Sequence, residues 1–162
     1  TLEKIIGNTV KHAATVICGP GGEMIYPAGC VVVLYDPKSN QQRFLWSDNN
    51  KAITCVAISS NGRYLAAGEV GSLLRQGEAN FLKMGNKPAI IVWELGAECS
   101  GRPVAQMRGH QFGIAAVAFA PDSKHIVSAG FQQDGLLHLW EWRSGKSIAS
   151  TKVATKVRFR GD

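Results

Sequence analysis

Four short apolar segments rich in β-branched residues recur along the chain: ATVICGP at 14–20, ITCVAIS at 53–59, IAAVAFA at 114–120 and ATKVRFRGD at 154–162. Their matching valines, Val16, Val56, Val117 and Val157, stand 40, 61 and 40 residues apart. This repeat constrains the fold more than any other property of the chain. A unit of that period cannot bury its own apolar faces and has to stack on its neighbours.

Six residues after each of the first three valines comes a turn position, Gly22, Gly62 or Ser123, inside PGGE, SNGR and PDSK. Small and φ-permissive residues there reverse the chain into a hairpin. A second strand follows each turn (MIYPAG, YLAAG, HIVSAG), its small residues allowing close backbone approach. A third follows at 30–36 (CVVVLYD), 89–94 (AIIVWE) and 136–141 (LLHLWE). A fourth, more polar one is predicted at 43–47, 103–109 and 147–153, where an outer edge has to resist pairing with strangers. The order of strands a, b, c and d, repeated, predicts four-stranded antiparallel blades.

The spacing of 61 has a local cause. Residues 71–87, GSLLRQGEANFLKMGNK, separate strands b and c of the second repeat, and removing about fifteen residues restores a period of roughly 40 to 45. As a b-to-c connection the insertion projects from one end of the blades, where it is either a tolerated loop or a dedicated binding loop.

The third repeat, GHQFGIAAVAFAPDSKHIVSAGFQQDGLLHLWEW, resembles the WD-repeat family in its Gly109-His110 pair, PDS turn, SAG strand, Asp134-Gly135 pair and Trp140-Glu141. The equivalent dipeptides of the other repeats are Tyr35-Asp36 and Trp93-Glu94. The resemblance implies a hydrogen-bonded network of His110, Ser128, Asp134 and Trp140, in which the aspartate accepts from the imidazole, the hydroxyl relays and the indole donates. That is a structural device rather than chemistry, because Ser128 lies in an apolar strand and not on a nucleophile elbow. The second repeat departs from the pattern, with Asn49 in the histidine place and Lys87 near the aspartate place, and only Trp93 kept. The first keeps little beyond Tyr35-Asp36. Both are expected to depend more on apolar packing.

LEKIIGNTV, YPAGCVVVLYDPK, GRYLAAGE, GHQFGIAAVAFAPDSKHIVSAGFQQD and ASTKVATKV together look like the N-terminal propeller of the mitogen-activated protein kinase-binding protein 1 and WD repeat-containing protein 62 family. The cilia- and flagella-associated WD-repeat proteins are a competing resemblance, sharing the LE opening, the YPxGC strand and an insertion after the second strand b. The fold class that follows is all-β, with WD-repeat β-propeller blades amounting to about half of a seven-bladed propeller. The expected divisions are 1–10, an outer strand of a neighbouring or closing blade; 11–48, a degenerate first blade; 49–109, a second blade carrying the insertion; 110–153, the best-formed blade; and 154–162, the first strand of a further one. Two open flanks are then expected, to be covered by remaining blades, a second copy or another chain. The start without Met points the same way, to a missing upstream part.

The family implies a non-enzymatic, cytoplasmic or cytoskeletal scaffold serving stress-activated kinase signalling and the spindle pole or centrosome, or else a ciliary, microtubule-associated role. Its kinase-docking elements belong mainly to a C-terminal region outside this chain. The predicted partners are proteins. Candidate contacts are Leu73, Leu74, Arg75, Phe81, Leu82, Met84 and Lys87 of the insertion, with Phe131, Gln132 and Gln133 of a neighbouring loop.

Other chemistry finds little support. The net charge of +6 is spread singly, apart from Lys152, Lys156, Arg158 and Arg160, and argues against nucleic acid as a partner. Cys18, Cys30, Cys55 and Cys99 form no CxxC pair and read as buried free thiols. No apolar stretch reaches membrane-spanning length. GKS at 145–147 has Trp140 where a phosphate loop needs glycine, GPGGE has no helix after it, and Arg160-Gly161-Asp162 continues a strand. His12, His125 and His138 share no metal spacing and read as blade-surface residues. No catalytic group, metal or cofactor is predicted.

Overall fold

A computed structural model describes residues 4, 5, 7, 15–71, 87–96 and 101–153. Among them are twelve strands in three antiparallel sheets. The first sheet comprises β1 (Ile17–Cys18), β2 (Met24–Ala28), β3 (Val31–Asp36) and β4 (Gln41–Trp46), and the second β5 (Ile53–Ile58), β6 (Tyr64–Glu69), β7 (Ala89–Glu94) and β8 (Ala105–Arg108). The third comprises β9 (Ile114–Phe119), β10 (His125–Gly130), β11 (Leu136–Glu141) and β12 (Lys146–Lys152). Each sheet pairs its strands in chain order, so a, b, c and d of every repeat form one blade. Gly22, Gly62 and Ser123 take positive φ in the a-to-b turns, at 85°, 68° and 55°.

Stacking explains the sequence pattern of the second blade. Alternate residues of β6 and β7 enter different cores: Leu65, Ala67, Ile91 and Trp93 pack with Ile25, Val32, Leu34 and Leu45 of the first blade. Tyr64, Ala66, Ile90 and Val92 pack with Ile114, Val117, Ile126, Trp140 and Trp142 of the third. A sheet covered on both faces has no polar side to show, so YLAAG and AIIVW read as continuous apolar runs. Between blades, the Thr54 hydroxyl of β5 lies between the carbonyl oxygens of Gly68 and Ile114. At the other end, Arg143 donates to the Tyr64 hydroxyl at 2.8 Å and stacks on Trp142.

Of the outer strands, β12 is exposed along its whole length, whereas β4 and β8 alternate and bury Leu45 and Met107. The two flanks differ in how far they are open. On the third blade Val127 is 40% exposed, with Leu137 and Leu139 half-buried beside it. On the first blade the equivalent face is covered at Val31 and Val33, 4% and 0% exposed, and open at Met24 and Trp46, 41% and 47% exposed. Gln42 of β4 brackets the Ile5 backbone, accepting from its N–H at 2.8 Å and donating to its carbonyl at 3.0 Å. The remainder of the predicted outer strand at 1–10, and the strand at 154–162 with its Arg-Gly-Asp, lie outside the described residues.

Cysteine burial is also uneven. Cys55 is buried, and burial pushes its thiol up to about 11, whereas Cys18 is exposed and Cys30 half-buried. The reading of all four as buried thiols therefore fails at Cys18, at the end of a two-residue strand; Cys99 lies outside the described residues.

Candidate functional site

The d-to-a and b-to-c loops emerge at one end of the blades, and each polar side chain there is placed by a strand end. In the third blade, β10 carries Ser128, β11 carries Trp140 and the loops on either side supply His110 and Asp134. Trp140 Nε1 donates to Ser128 Oγ at 2.8 Å, and the same hydroxyl lies 2.8 Å from His110 Nε2. Ser128 and His110 are 0% and 1% exposed, so each of these polar atoms needs its partner. With the indole proton taken by Oγ, the hydroxyl is free to donate to an unprotonated Nε2.

The aspartate differs from expectation. Its Oδ2 is 3.7 Å from His110 Nδ1, too long for a hydrogen bond, and the carboxylate instead accepts from the backbone N–H groups of Gln111 and Phe112 at 3.0 and 3.1 Å. Asp134 thus holds the loop that carries His110 more than it holds the imidazole. Space for that imidazole comes from Gly130, where a Cβ would stand 2.5 Å from His110 Nδ1. His138 joins the cluster, its ring 4.8 Å from that of His110 and 5.1 Å from Trp140, with both nitrogens buried and without a hydrogen-bond partner. It is not the surface residue its spacing suggests, because position 138 shares the inward face of β11 with Trp140. Burial, with His138 alongside, lowers His110 to about 4, and burial likewise lowers His138. The arrangement fixes a loop.

The second blade solves the same problem with other residues. Ala67 occupies the serine position, so the fully buried Trp93 leaves its Nε1 without a partner. Asn49 replaces the histidine, and the room its shorter side chain leaves is filled by Glu69, which stands where the third blade has Gly130. The Glu69 carboxylate is 0% exposed. It accepts from the Ser47 hydroxyl, from Asn49 Nδ2 at 3.0 Å and from the Ala89 N–H at 3.0 Å. Asn49 Oδ1 accepts in turn from Arg108 at 2.9 Å. The expectation that this blade rests on apolar packing therefore misses a buried polar hub. Its one signal in the sequence is a carboxylate closing the otherwise apolar strand YLAAGE.

The first blade has no such network among the described residues. Tyr35 reaches Asn40 at 3.2 Å, and Asp36 caps the c-to-d turn by accepting from Ser39 Oγ at 2.7 Å and Lys38 N at 2.9 Å; these bonds, the Ser39 hydroxyl first, hold its carboxyl low. Glu94 pairs with Arg63 at 3.1 Å and Glu141 accepts from Ser144 at 2.7 Å. The second residue of each dipeptide thus serves the end of the blades opposite His110.

Of the insertion, Leu73, Leu74, Arg75, Phe81, Leu82 and Met84 lie outside the described residues; its two feet do not. At the outgoing foot, Val70 N donates to Ala52 O at 2.8 Å and Gly71 N to Phe112 O at 2.7 Å. At the returning foot, Arg108 donates to Lys87 O at 2.6 Å and Glu69 takes the Ala89 N–H. The outgoing foot is held by backbone bonds to two d-to-a loops, and the returning foot by side chains at the ends of β8 and β6. Beside them Phe112 is 44% exposed, Gln132 and Gln133 are exposed, and the Phe131 ring rests on Gly113. Among the described residues no group of histidines, cysteines and carboxylates is placed to hold a metal ion, and no helix is long and apolar enough to cross a membrane.

Comparison with known proteins agrees with this architecture. Residues 40–75 and 101–141 match the family described as WD domain, G-beta repeat. WD repeat-containing protein 62 and mitogen-activated protein kinase-binding protein 1, both of Mus musculus, are each 37% identical over 158 residues, which is 97% of this chain and 9% of each relative. Cilia- and flagella-associated protein 52 of Sus scrofa is 30% identical over 154 residues, 94% of this chain and 22% of that protein.

Proposed function

The chain belongs to the WD-repeat family, and from that premise we propose that it is a non-enzymatic protein-docking module whose partner surface is the end bearing the insertion. The observation that carries the reading is the double anchoring of that insertion. An unconstrained surface loop needs no fixed feet, whereas a binding loop loses less conformational freedom on association when its stem is already held. Exposed Phe112, Gln132 and Gln133 border the stem and widen the surface. The division into blades at 11–48, 49–109 and 110–153, with strands from neighbouring units at 1–10 and 154–162, belongs to the same proposal.

The wider role draws on the relatives' names for kinase binding and on the family resemblance for the centrosome. One is called a kinase-binding protein, and the role proposed here is that of a scaffold segment in a cytoplasmic kinase-signalling or centrosomal assembly. The test is capture of partners from cell extract by the whole chain and by a chain lacking residues 72–86. Loss of capture on deletion is expected, and equal capture by both would defeat the docking assignment.

The likeness to a protein named for cilia and flagella favours a second reading, as a microtubule-associated structural element. The net charge of +6 suits an acidic filament surface. Cosedimentation with microtubules that weakens as salt rises would select it, and absence of cosedimentation at low salt would remove it.

A further inference from the structure

The face of the first blade that turns away from the second is covered where the described stack of blades does not cover it. In the second blade Ile91, two residues before Trp93, is 0% exposed because the first blade packs on it. Val33 holds the same place before Tyr35, with no blade described on its outer side, and is 0% exposed as well. Its cross-strand neighbours Tyr26 and Phe44 are half-buried, while Met24 and Trp46, towards the two ends of the same face, are exposed. The open flank of the third blade shows such a face bare, with Val127 exposed and Leu137 and Leu139 half-buried.

Gln42 stands on the covered face, two residues from Phe44 along β4 and opposite Tyr35. Its amide meets Ile5 through main-chain groups, Oε1 accepting from the Ile5 N–H at 2.8 Å and Nε2 donating to the Ile5 carbonyl at 3.0 Å. The Tyr26 hydroxyl lies 3.4 Å from the same Nε2, an acceptor for the second hydrogen of the amide. Gln42 thus gives Ile5 the pair of bonds that a neighbouring strand would give it, without reading its side chain. Beyond it Gly7 takes a φ of 107°, where a Cβ would meet nothing within 4 Å. The turn of the backbone, rather than lack of space, calls for glycine there.

We infer that the stretch carrying Lys4, Ile5 and Gly7 is a releasable strap over the outer face of the first blade, latched by Gln42, and that its release bares the apolar row of Tyr26, Val33 and Phe44. A hold of two bonds from one side chain opens more readily than a ladder of strands, so the strap can lift while the blades stay folded. Strapped, the face shows Met24 and Trp46 as separate points; released, the row joins them into one apolar surface. The device owes nothing to the insertion, since Gln42 lies beside the c-to-d turn at the opposite end of the blades.

Short trypsin pulses on the whole chain, with cleavage after Lys4 read by mass spectrometry, measure opening of the strap, and binding of the dye ANS reads bared apolar surface. Gln42→Ala should raise that cleavage about tenfold and increase ANS fluorescence at an unchanged urea midpoint. Gln42→Glu keeps the acceptor and loses the donor, and should fall between. Gly7→Ala meets no neighbour and should speed cleavage several-fold through its disfavoured φ alone. Ile5→Thr, which keeps both main-chain groups, and Gln41→Ala, on the other face of β4, should each leave cleavage nearly unchanged. Unaltered cleavage in Gln42→Ala, faster cleavage without a rise in ANS fluorescence, or a fall in the urea midpoint large enough to account for the faster cleavage would each overturn the inference.

Discussion

Ser128 is the residue on which the third blade's buried polarity turns, because one hydroxyl serves both Trp140 Nε1 and His110 Nε2. Ser128→Ala leaves two buried polar groups unpaired and is expected to cost about 1–3 kcal/mol, read as a lower urea midpoint at unchanged slope. The pH dependence of stability belongs to the same cluster. In the folded chain His110 lies at about 4, below its ordinary value of 6.5, because burial disfavours the charged ring. A group whose folded value is depressed contributes stability that is complete above the unfolded value and is lost as pH falls towards the folded one. The urea midpoint should therefore hold from pH 8 to about 6.5 and decline steadily towards about 4, and His110→Gln should flatten that decline. Sequence and structure part company at these residues in an instructive way. The resemblance to the WD-repeat family supplied the four positions, of which His110, Ser128 and Trp140 are hydrogen-bonded, but the length of the His110–Asp134 contact was not legible, since competition from the Gln111 and Phe112 amides is a matter of loop geometry. Glu69 was passed over because its partners, Ser47 and Asn49 in the loop after β4 and Ala89 at the start of β7, lie about twenty residues to either side of it.

Strands were the most legible scale. Turn chemistry and period-two patterning placed all twelve within a few residues, and the continuous apolar runs of β6 and β7 marked the blade that is covered on both faces. Elements also set what can be repaired. Trp93 on β7 lies against Ala67 on β6 with its indole N–H unsatisfied, so Ala67→Ser is expected to supply the acceptor that Ser128 supplies to Trp140. A gain of about 1 kcal/mol in urea unfolding would agree with that geometry, and a loss would show that the packed strand has no room for the oxygen. Glu69→Ala acts in the opposite sense at the foot of the insertion. It frees the Ala89 N–H and the Asn49 amide, and limited trypsin digestion at Arg75 or Lys83 should become faster than in the unaltered chain.

For the whole molecule, the stacking of blades decides which surfaces are tolerant. Val92 of β7 and Leu139 of β11 hold equivalent positions in their blades, yet Val92 is 0% exposed while Leu139 is half-buried on the open flank beside Val127. Val127→Lys should change the free energy of unfolding by less than about 0.5 kcal/mol and lower light scattering at high protein concentration, whereas Val92→Lys should prevent folding. That one flank is partly covered and the other open could not be read from the repeat, because a repeat describes each blade and not what lies against the outermost ones. The exchange between the second and third blades has a further consequence for how such chains can change over time. A glycine with a histidine in one blade and a glutamate with an asparagine in the other fill the same volume, so neither residue can be swapped alone: histidine at 49 would collide with Glu69, and glycine at 69 would leave a void and three stranded donors. The two solutions are separated by a valley that only a paired change crosses, and a blade that has adopted one of them is held to it.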